Sequence, residues 1–332
     1  MKKIRFGILG TSRIARTRFV PALGRSRHCV AAAMASRSLD KAEVAGRALD
    51  IPGRYGSYEA LLAAPDIDAV YIPLPNHLHV DWAIQAMRAG KHVLCEKPLG
   101  LGTEDVNRLI DATSRYPDIK VMEASASRHH PQWIDARRRV KDGEIGRLVA
   151  VESCFAHFND DPENIRNQTT TGGGGLMHLG CHCVSMSRFL FGTEPVRACG
   201  FANHDPTFGT DRLFAGMLDF SGAVVTFTCA TQLTAHQRMA ILGTTGRIEI
   251  TQPFSAPADT PTRTVLHRDN DPESPRTITF GLCDQYAVLA DLLARAILDH
   301  TPVPVPLTDA WATMHAIEVL RESARTGRWL PC

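Results

Sequence analysis

The sequence predicts two domains: a doubly wound α/β domain with a parallel sheet, then an α+β domain with a large, open, mostly antiparallel sheet. Short apolar runs alternate with helical patterns through the first third of the chain, as βαβ units require. From about residue 147 to about residue 282 the pattern is mostly strand-like. The length of 332 residues also favours two domains. We assign residues 1–125 to the first domain and residues 126–332 to the second, with the last helices free to pack back on the first.

The apolar runs and the residues that end them give the elements. The predicted strands of the first domain are Ile4–Leu9, Val30–Ala35, Ala69–Ile72, His92–Cys95 and Lys120–Met122. The predicted helices between them are Ile14–Leu23, Leu39–Leu49, Val80–Ala89 and Thr103–Tyr116. In the second domain, a helix over Leu176–Phe191 is expected between a run of four glycines and Gly192, and two helices finish the chain. The segment Ala256–Pro275, rich in Pro, Asp and Thr, is predicted to be a surface loop.

Composition and charge exclude several classes of protein. Hydrophobic residues make up 44% and charged residues 22%, which is typical of a folded enzyme and not of a disordered chain. The net charge is +2, and the sequence lacks a basic run interleaved with aromatics, so a nucleic-acid partner is not expected. The first apolar run is too short for a signal sequence or a membrane span. Nine cysteines without a framework spacing indicate reduced thiols and a cytoplasmic location.

A dinucleotide-binding turn is predicted where the first strand meets the first helix. The pattern there is Gly10-x-Ser12-x-x-Ala15. Glycine permits the tight turn, a small residue allows close helix–strand packing, and the free N–H groups of the helix bind a pyrophosphate. The predicted Rossmann-type site consists of Gly10, Thr11, Ser12, Arg13 and Ile14. Because serine replaces the second glycine, the motif alone also fits an ordinary strand-to-helix turn.

The end of the second predicted strand indicates which dinucleotide binds. Ser36, Arg37 and Lys41 stand where an acidic residue would bind a ribose 2′-hydroxyl. Hydroxyls and cations instead suit a 2′-phosphate, so the sequence predicts NADP, with NAD as the alternative. A solvated helix start, with Ser38 as its N-cap, explains the same residues without a ligand.

The fourth predicted strand ends directly before Glu96-Lys97-Pro98. Catalytic groups of open α/β sheets lie at the carboxyl ends of strands, and a lysine there could donate a hydrogen bond to a substrate oxygen. Pro98 would fix the turn that aims Lys97, through a cis bond if one forms. Taken alone, Lys97 fits a surface lysine better than a catalytic one.

Together, these motifs make the sequence resemble the Gfo/Idh/MocA oxidoreductases (glucose–fructose oxidoreductase, inositol dehydrogenase and rhizopine catabolism proteins). The matching segments between Ile4 and Trp329 are residues 10–15, Pro75-Asn76-His77-Leu78-His79, Glu96-Lys97-Pro98, Arg128-His129-His130-Pro131-Gln132, Asn164-Ile165-Arg166, residues 172–182, Gly243-Thr244-Thr245-Gly246 and Thr326-Gly327-Arg328-Trp329. Phe191-Gly192-Thr193-Glu194-Pro195 and Asp284-Gln285-Tyr286 are similar to the glucose–fructose oxidoreductase and dihydrodiol dehydrogenase branch.

The resemblance implies hydride transfer between the nicotinamide of NADP and a hydroxyl or keto carbon of a sugar, ketosugar or polyol. It implies two catalytic residues, Lys97 beside the nicotinamide and His182 as the acid/base group. Further cofactor-binding residues would be Pro73, Asn76, His77 and Glu96, together with Lys97 itself. Substrate-binding residues would be Arg128, Asn164, Arg166 and His178. It also implies a homodimer or homotetramer, formed through an open face of the second sheet.

Three departures from the family pattern affect the predicted pocket. His178 stands where the family usually has Asp, one turn before His182, and two such imidazoles should lower each other's pKa. Ser125, Ala126 and Ser127 replace larger apolar residues, which predicts a smaller and more polar pocket wall. Thr313 replaces a frequent Asn. The two histidines share a helix face, but a third ligand is not evident, so we predict no metal.

Two other functions fit the same sequence. One is a dihydrodiol dehydrogenase, or another reductase of non-sugar carbonyls or imines; the polar Ser125 and Ser127 count mildly against an aromatic substrate. The other is a catalytically impaired NADP-binding sensor, which the loss of the carboxylate at His178 favours and the presence of Lys97 and His182 opposes. The sequence leaves the substrate and the direction of the reaction open.

Overall fold

A computed structural model describes residues 3–332, which divide into two compact units. Unit 1 contains the described residues up to Ala126 together with Asp284–Trp311. Unit 2 contains Ser127–Cys283 and Ala312–Cys332. The boundary at residue 126 lies one residue from the one assigned from sequence, and a segment near the end of the chain belongs to unit 1.

Unit 1 is built on a six-stranded parallel sheet. Its strands are β1 (Ile4–Leu9), β2 (Cys29–Ala35), β3 (Gly53–Tyr55), β4 (Ala69–Ile72), β5 (His92–Cys95) and β6 (Val121–Glu123). They are ordered β3-β2-β1-β4-β5-β6, which confirms the predicted doubly wound Rossmann topology. The order reverses between β1 and β4, so the loops after these two strands lie at the switch point where such sheets bind ligands.

The helices of unit 1 up to residue 113 agree with the apolar periodicity. A π-helical turn (Ala15–Phe19) leads into α1 (Val20–Leu23), and α2 (Leu39–Ala48), α3 (Tyr58–Leu62), α4 (His79–Arg88) and α5 (Thr103–Thr113) follow. The short elements β3 and α3 were not predicted, because three and five residues are too few to establish a period. A 3₁₀ turn (Asn76–Leu78) precedes α4.

Unit 2 is built on a nine-stranded sheet. Its strands are β7 (Leu148–Phe158), β8 (Arg197–His204), β9 (Asp211–Asp219), β10 (Val224–Ala230), β11 (Gln232–Gly243), β12 (Gly246–Ile250), β13 (Thr262–Arg268), β14 (Arg276–Phe280) and β15 (Leu330–Pro331). They are ordered β14-β13-β12-β11-β7-β10-β9-β8-β15. β7 and β10 pair in parallel, whereas the other strand pairs described for this sheet are antiparallel, as predicted.

One predicted loop is wrong. The segment Ala256–Pro275 contains β13, which pairs with β12 on one side and β14 on the other. The strand has inward-facing Thr262, Thr264 and Leu266, and β-branched side chains suit a pleated surface. The prolines and aspartates that suggested a loop lie on either side of this strand.

The remaining helices complete both units. In unit 2, α6 (Pro131–Lys141) is followed by a π-helical turn (Leu176–Gly180) that runs directly into α7 (Cys181–Phe191). Later in the chain, α8 (Gln285–Leu298) places Leu289 and Leu293 in the same buried cluster as Phe6 and Tyr71 of unit 1. The last helix is α9 (Leu307–Thr326). Among the described residues, no helix is both long and apolar enough to span a membrane, and all nine cysteines are free thiols.

Candidate active site

The turn after β1 has the geometry that a dinucleotide requires. Gly10 adopts a φ of 101°, a conformation in which a side chain would be strained, and its N–H donates to the Ala35 carbonyl oxygen at 2.8 Å. A Cβ at this position would lie 3.0 Å from Leu74 Cδ2. Ser12 Oγ accepts a hydrogen bond from the N–H of Ala15, which is fully buried. These residues fit the Rossmann fingerprint, with serine in the second position acting as a helix cap.

The end of β2 presents cationic side chains. Ser36 is buried, whereas Arg37 and Lys41 are exposed. Burial raises the pKa of Tyr58, and the positive charge of Arg37 opposes that rise, which places the guanidinium within electrostatic reach of this ring. Ser38 occupies the N-cap position of α2, but its hydroxyl makes no capping hydrogen bond. The N-cap explanation of this segment therefore loses its main support.

A buried histidine joins the loops that follow β4 and β5. The ring of His79 lies 2.7 Å (Nε2) from the Leu74 carbonyl oxygen and 2.9 Å (Nδ1) from that of Pro98. His79 lies in the motif Pro75-Asn76-His77-Leu78-His79, and its link between the two loops was not predicted. The predicted cofactor residues in the first of these loops divide by exposure: Asn76 is buried and His77 is exposed.

Lys97 extends from a fixed backbone. The hydroxyl of Tyr71 on β4 donates to Glu96 Oε1 at 2.6 Å, and Glu96 Oε2 accepts from the Lys97 N–H at 3.2 Å. The Lys97–Pro98 peptide bond is cis, as suggested from the sequence. Glu96 is 6% exposed, whereas Lys97 is partly exposed. The buried carboxylate therefore fixes the backbone of Lys97, and the partly exposed side chain of Lys97 can reach a ligand.

In unit 2, the two predicted site histidines lie on one continuous helical segment. His178 is buried in the π-helical turn and His182 is partly exposed in the first turn of α7. The sequence predicted one regular helix here. A π turn winds more residues per turn than an α turn, so the two rings do not have the simple i, i+4 relationship assumed from the sequence.

Two phenyl rings lie against His182. Its ring centroid lies 5.5 Å from that of Phe155 and 5.7 Å from that of Phe254, and the two phenyl rings stack at 4.7 Å. The loop that carries Phe254 is fixed by α6, because Trp133 Nε1 donates to the Pro253 carbonyl oxygen at 2.6 Å. Sequence reasoning missed both phenylalanines, since neither lies in a recognisable motif.

The predicted polar pocket wall is wrong. Ser125 is buried and donates to Glu123 Oε2 at 3.2 Å, and Ala126 belongs to the core of unit 1. Ser127 is 3% exposed, and its hydroxyl lies 3.8 Å from Met186 Sδ. These hydroxyls bond inside the protein, because burial without a partner would be costly. They do not form a polar lining.

The remaining predicted substrate-binding residues, together with Thr313, lie in unit 2. Asn164 Oδ1 accepts from the backbone N–H of Arg166 at 3.1 Å and lies 3.4 Å from its guanidinium. Arg128 is buried, lies 3.3 Å from Ser185 Oγ on α7 and stacks over a phenyl ring at 5.1 Å. Thr313 is also buried and accepts from Arg188 at 2.7 Å. Asn164 and Arg166 therefore form a pair, whereas Arg128 and Thr313 contact the helix that carries His182.

Comparison with known proteins agrees with this arrangement. Residues 4–124 match the oxidoreductase family with an NAD-binding Rossmann fold, and residues 133–249 match the GFO/IDH/MocA C-terminal domain. The chain is 40% identical to an uncharacterized oxidoreductase of Rhizobium meliloti, over 99% of both chains. It is 35% identical to D-xylose 1-dehydrogenase (NADP(+)) 2 of Haloferax volcanii, over 97% of this chain and 98% of the other.

A solved structure shows the same fold over nearly the whole length. The 3-ketoreductase KijD10 from Actinomadura kijaniata, in complex with NADP and TDP-benzene, superimposes with a TM-score of 0.90 at 26% identity. The match covers 97% of this chain and 98% of that one. Motifs, fold and both matched domains lead to one conclusion: the chain belongs to the Gfo/Idh/MocA oxidoreductase family.

Proposed function

We propose that this oxidoreductase depends on NADP and transfers a hydride between the nicotinamide and a hydroxyl or keto carbon of a sugar, ketosugar or polyol. The observation that carries the proposal is the Tyr71–Glu96–Lys97 network, which holds a partly exposed lysine at the carboxyl end of a central strand. Two relatives support the cofactor and the substrate class. The name of the D-xylose 1-dehydrogenase (NADP(+)) states both a sugar and NADP, and the 3-ketoreductase was solved in complex with NADP.

The residues of unit 1 fit NADP. The pyrophosphate would bind at the turn formed by Gly10, Thr11, Ser12, Arg13 and Ile14, where helix N–H groups are available. The 2′-phosphate would bind the residues at the end of β2, namely Ser36, Arg37 and Lys41. The nicotinamide half would contact the loops after β4 and β5, namely Pro73, Asn76, His77, Glu96 and Lys97. When bound, NADP supplies the hydride acceptor or donor at the nicotinamide ring.

Lys97 and His182 have separate chemical roles in this proposal. Lys97 donates a hydrogen bond to the reacting oxygen and stabilises negative charge that develops on it. In oxidation, His182 accepts the hydroxyl proton as the hydride leaves the carbon. In reduction, His182 returns a proton to the oxygen. An imidazole suits both directions, because its ordinary pKa lies near neutral pH.

The substrate contacts are proposed from the family pattern and their chemistry. Asn164 and Arg166 supply an amide and a cation, and His178 supplies an imidazole where a carboxylate is usual. Replacing that carboxylate favours a substrate with a carboxylate or phosphate, or else an oxidation rate that rises through neutral pH. Arg128 would bind the substrate from beside α7, because it is buried against Ser185 of that helix.

A second candidate substrate class is a non-sugar diol or carbonyl compound, as for a dihydrodiol dehydrogenase. The observation in its favour is the stacked pair of Phe155 and Phe254 beside His182. Stacked aromatic rings suit a flat, apolar ligand at least as well as a sugar face. The hydroxyls of Ser125 and Ser127, which counted against such a ligand, are bonded within the protein.

We also propose a cytoplasmic homo-oligomer formed through the open face of the unit 2 sheet. This face carries a groove of about 640 Å³ lined by β7–β11. Phe201 is 61% exposed and Met217 is 40% exposed, and both line it. A sheet face with apolar side chains is normally covered, and a second copy of the chain would cover this one.

The experiment that tests the substrate class is a two-direction panel. NADP reduction is followed with aldoses, uronic acids, sugar phosphates and a trans-dihydrodiol, and NADPH oxidation with ketosugars and an aromatic diketone. Turnover with sugars supports the first candidate, and turnover with the dihydrodiol alone supports the second. NADPH binding without turnover on any member of the panel would favour the impaired sensor.

A further inference from the structure

The helical segment that carries both site histidines begins with no capping group of its own. Residues 176–191 include no acidic side chain, and Gly175, at the N-cap, has no side chain that could cap the helix. Backbone N–H groups at a helix start need an acceptor, and the helix dipole favours a negative charge there. The acceptor comes from 35 residues further along the chain: Asp211 Oδ2 accepts from the Leu176 N–H at 2.7 Å.

The glycine run makes room for this carboxylate. A Cβ on Gly174, whose φ is 111°, would overlap Asp211 Oδ1, and a Cβ on Gly175 would lie 3.3 Å from Oδ2. The loop on the other side is also fixed, because the Gly174 N–H donates to the Arg166 carbonyl oxygen at 2.8 Å. Glycine is therefore needed at 174 for two reasons: the backbone conformation and the approach of Asp211.

We propose that Asp211 is a positioning residue that fixes the π-helical turn before α7 and so sets the place of His178 relative to His182. The junction between π and α winding falls between the two histidines, at Gly180 and Cys181. A change in the winding of the first turn therefore rotates one ring with respect to the other. The proposal rests on His182 as the acid/base group of the proposed function.

Asp211 is a partly buried carboxylate among groups from three other elements. Burial raises the pKa of the carboxyl to about 6, against the lowering effects of the Leu176 N–H, His204 on β8 and Arg321 on α9. The Cys229 thiol on β10 is also within electrostatic reach. Keeping a partly buried carboxylate ionised at neutral pH costs stability, and such costs are concentrated at functional sites.

The test compares Asp211→Asn, which keeps an acceptor for the Leu176 N–H, with Asp211→Ala, which removes it. The matched control is Asp205→Asn, because Asp205 caps its own turn at Thr207 and contacts Gln232 instead of the helix. Hydrogen–deuterium exchange of the peptide over residues 174–182 reports on the turn itself. The kcat for NADPH-dependent reduction, with the NADPH Kd measured separately, reports on the chemistry.

We expect Asp211→Ala to speed exchange in residues 174–182 by at least about 10-fold and to lower kcat on the order of 100-fold, since misplacement by about an ångström has that effect. NADPH affinity should stay within about twofold. Asp211→Asn keeps an acceptor but loses the charge, so it should speed exchange in residues 174–182 by about 3- to 10-fold and lower kcat less than the Ala variant does. This variant also covers the case in which the Ala variant fails to fold.

Two results would overturn the inference: unchanged exchange in Asp211→Ala, or faster exchange with kcat equal to that of the parent. If the Ala variant does not fold, the Asn variants decide. The inference would also be overturned if Asp211→Asn and Asp205→Asn both showed the exchange, the kcat and the pH profile of the parent. A separate variant, His182→Asn, tests the proposed function. Full turnover in that variant would remove the acid/base assignment, and the exchange data would still show whether Asp211 fixes the turn.

Discussion

The carbonyl oxygen of Pro98 lies 2.9 Å from Nδ1 of His79, and the other nitrogen of the same ring lies 2.7 Å from the carbonyl oxygen of Leu74. His79 is 1% exposed. One buried ring therefore joins the loop that precedes Asn76 to the loop that carries Lys97. Both loops belong to the proposed nicotinamide half of the cofactor site, so the ring connects cofactor binding to the placement of the lysine.

The first prediction concerns this bridge. His79→Ala removes both contacts and should weaken NADPH binding and lower kcat together, because both loops lose a fixed neighbour. Fluorescence titration gives the NADPH Kd, and steady-state assays give kcat. His300→Asn is the matched control, since His300 is an exposed residue of the same unit. Parental Kd and kcat in His79→Ala would show that the bridge is dispensable.

The second prediction concerns cofactor choice. Arg37→Ala should weaken NADPH by about 1.5–3 kcal/mol, roughly 10- to 100-fold, because a charged hydrogen bond to the 2′-phosphate is lost. NADH lacks that phosphate, so its affinity should change little. Isothermal titration of parent and variant with both cofactors measures the difference. Equal NADPH and NADH affinities in the parent would contradict the NADP assignment.

The third prediction concerns acid stability. Burial lowers the pKa of His130 to about 4, below the ordinary value of 6.5. The unfolded chain takes up a proton on this ring below pH 6.5 and the folded protein does not, so stability is lost as the pH falls from about 6.5 to about 4. Asp211 taken alone has the opposite effect on stability. Because burial raises its pKa to about 6, the folded protein takes up this proton before the unfolded chain does, and stability is gained as the pH falls through that value.

His130→Asn isolates this effect. His130 caps α6 by accepting from the Gln132 N–H, and asparagine can cap in the same way without titrating. The loss of melting temperature between pH 7 and pH 5 should therefore be smaller in this variant than in the parent. His300→Asn should lose as much melting temperature between pH 7 and pH 5 as the parent. An equal loss of melting temperature between pH 7 and pH 5 in all three proteins would show that the fold does not hold His130 neutral.

The fourth prediction concerns self-association. Phe201→Glu places a charge on the open sheet face of unit 2 and should shift a dimer or tetramer towards monomer, because burying an unpaired charge is costly. Light scattering at micromolar concentration gives the mass. Val44→Glu is a control with a similarly exposed apolar residue on α2 in unit 1. A monomeric parent would exclude assembly through this face.

Much of the fold follows from local signals. Strands such as Ile4–Leu9 and Ala69–Ile72 are short apolar runs with clear ends, and the sequence predicts them residue for residue. The helix Leu176–Phe191 also has its predicted bounds, but its initial π turn was not foreseen. That turn depends on an acceptor 35 residues away, which no local pattern encodes.

The site was predictable only where residues fall in motifs. Gly10, Glu96 and Lys97 were found because each follows a strand in a recognisable order. Phe155 and Phe254 come from separate strands and loops, and only tertiary packing brings them to His182. The polar wall inferred from Ser125 failed for the same reason, since the sequence does not show which way a side chain faces after a strand ends.

The central claim is that His182 exchanges the proton while a hydride moves between NADP and the substrate. The most direct measurement is single-turnover NADPH oxidation by His182→Asn with saturating substrate, beside the parent and His267→Asn, a partly exposed histidine of the same unit. Loss of a general acid typically lowers the rate by about 10²–10⁴-fold. We expect that loss in His182→Asn alone, with the NADPH Kd unchanged. A parental rate in His182→Asn would contradict the account.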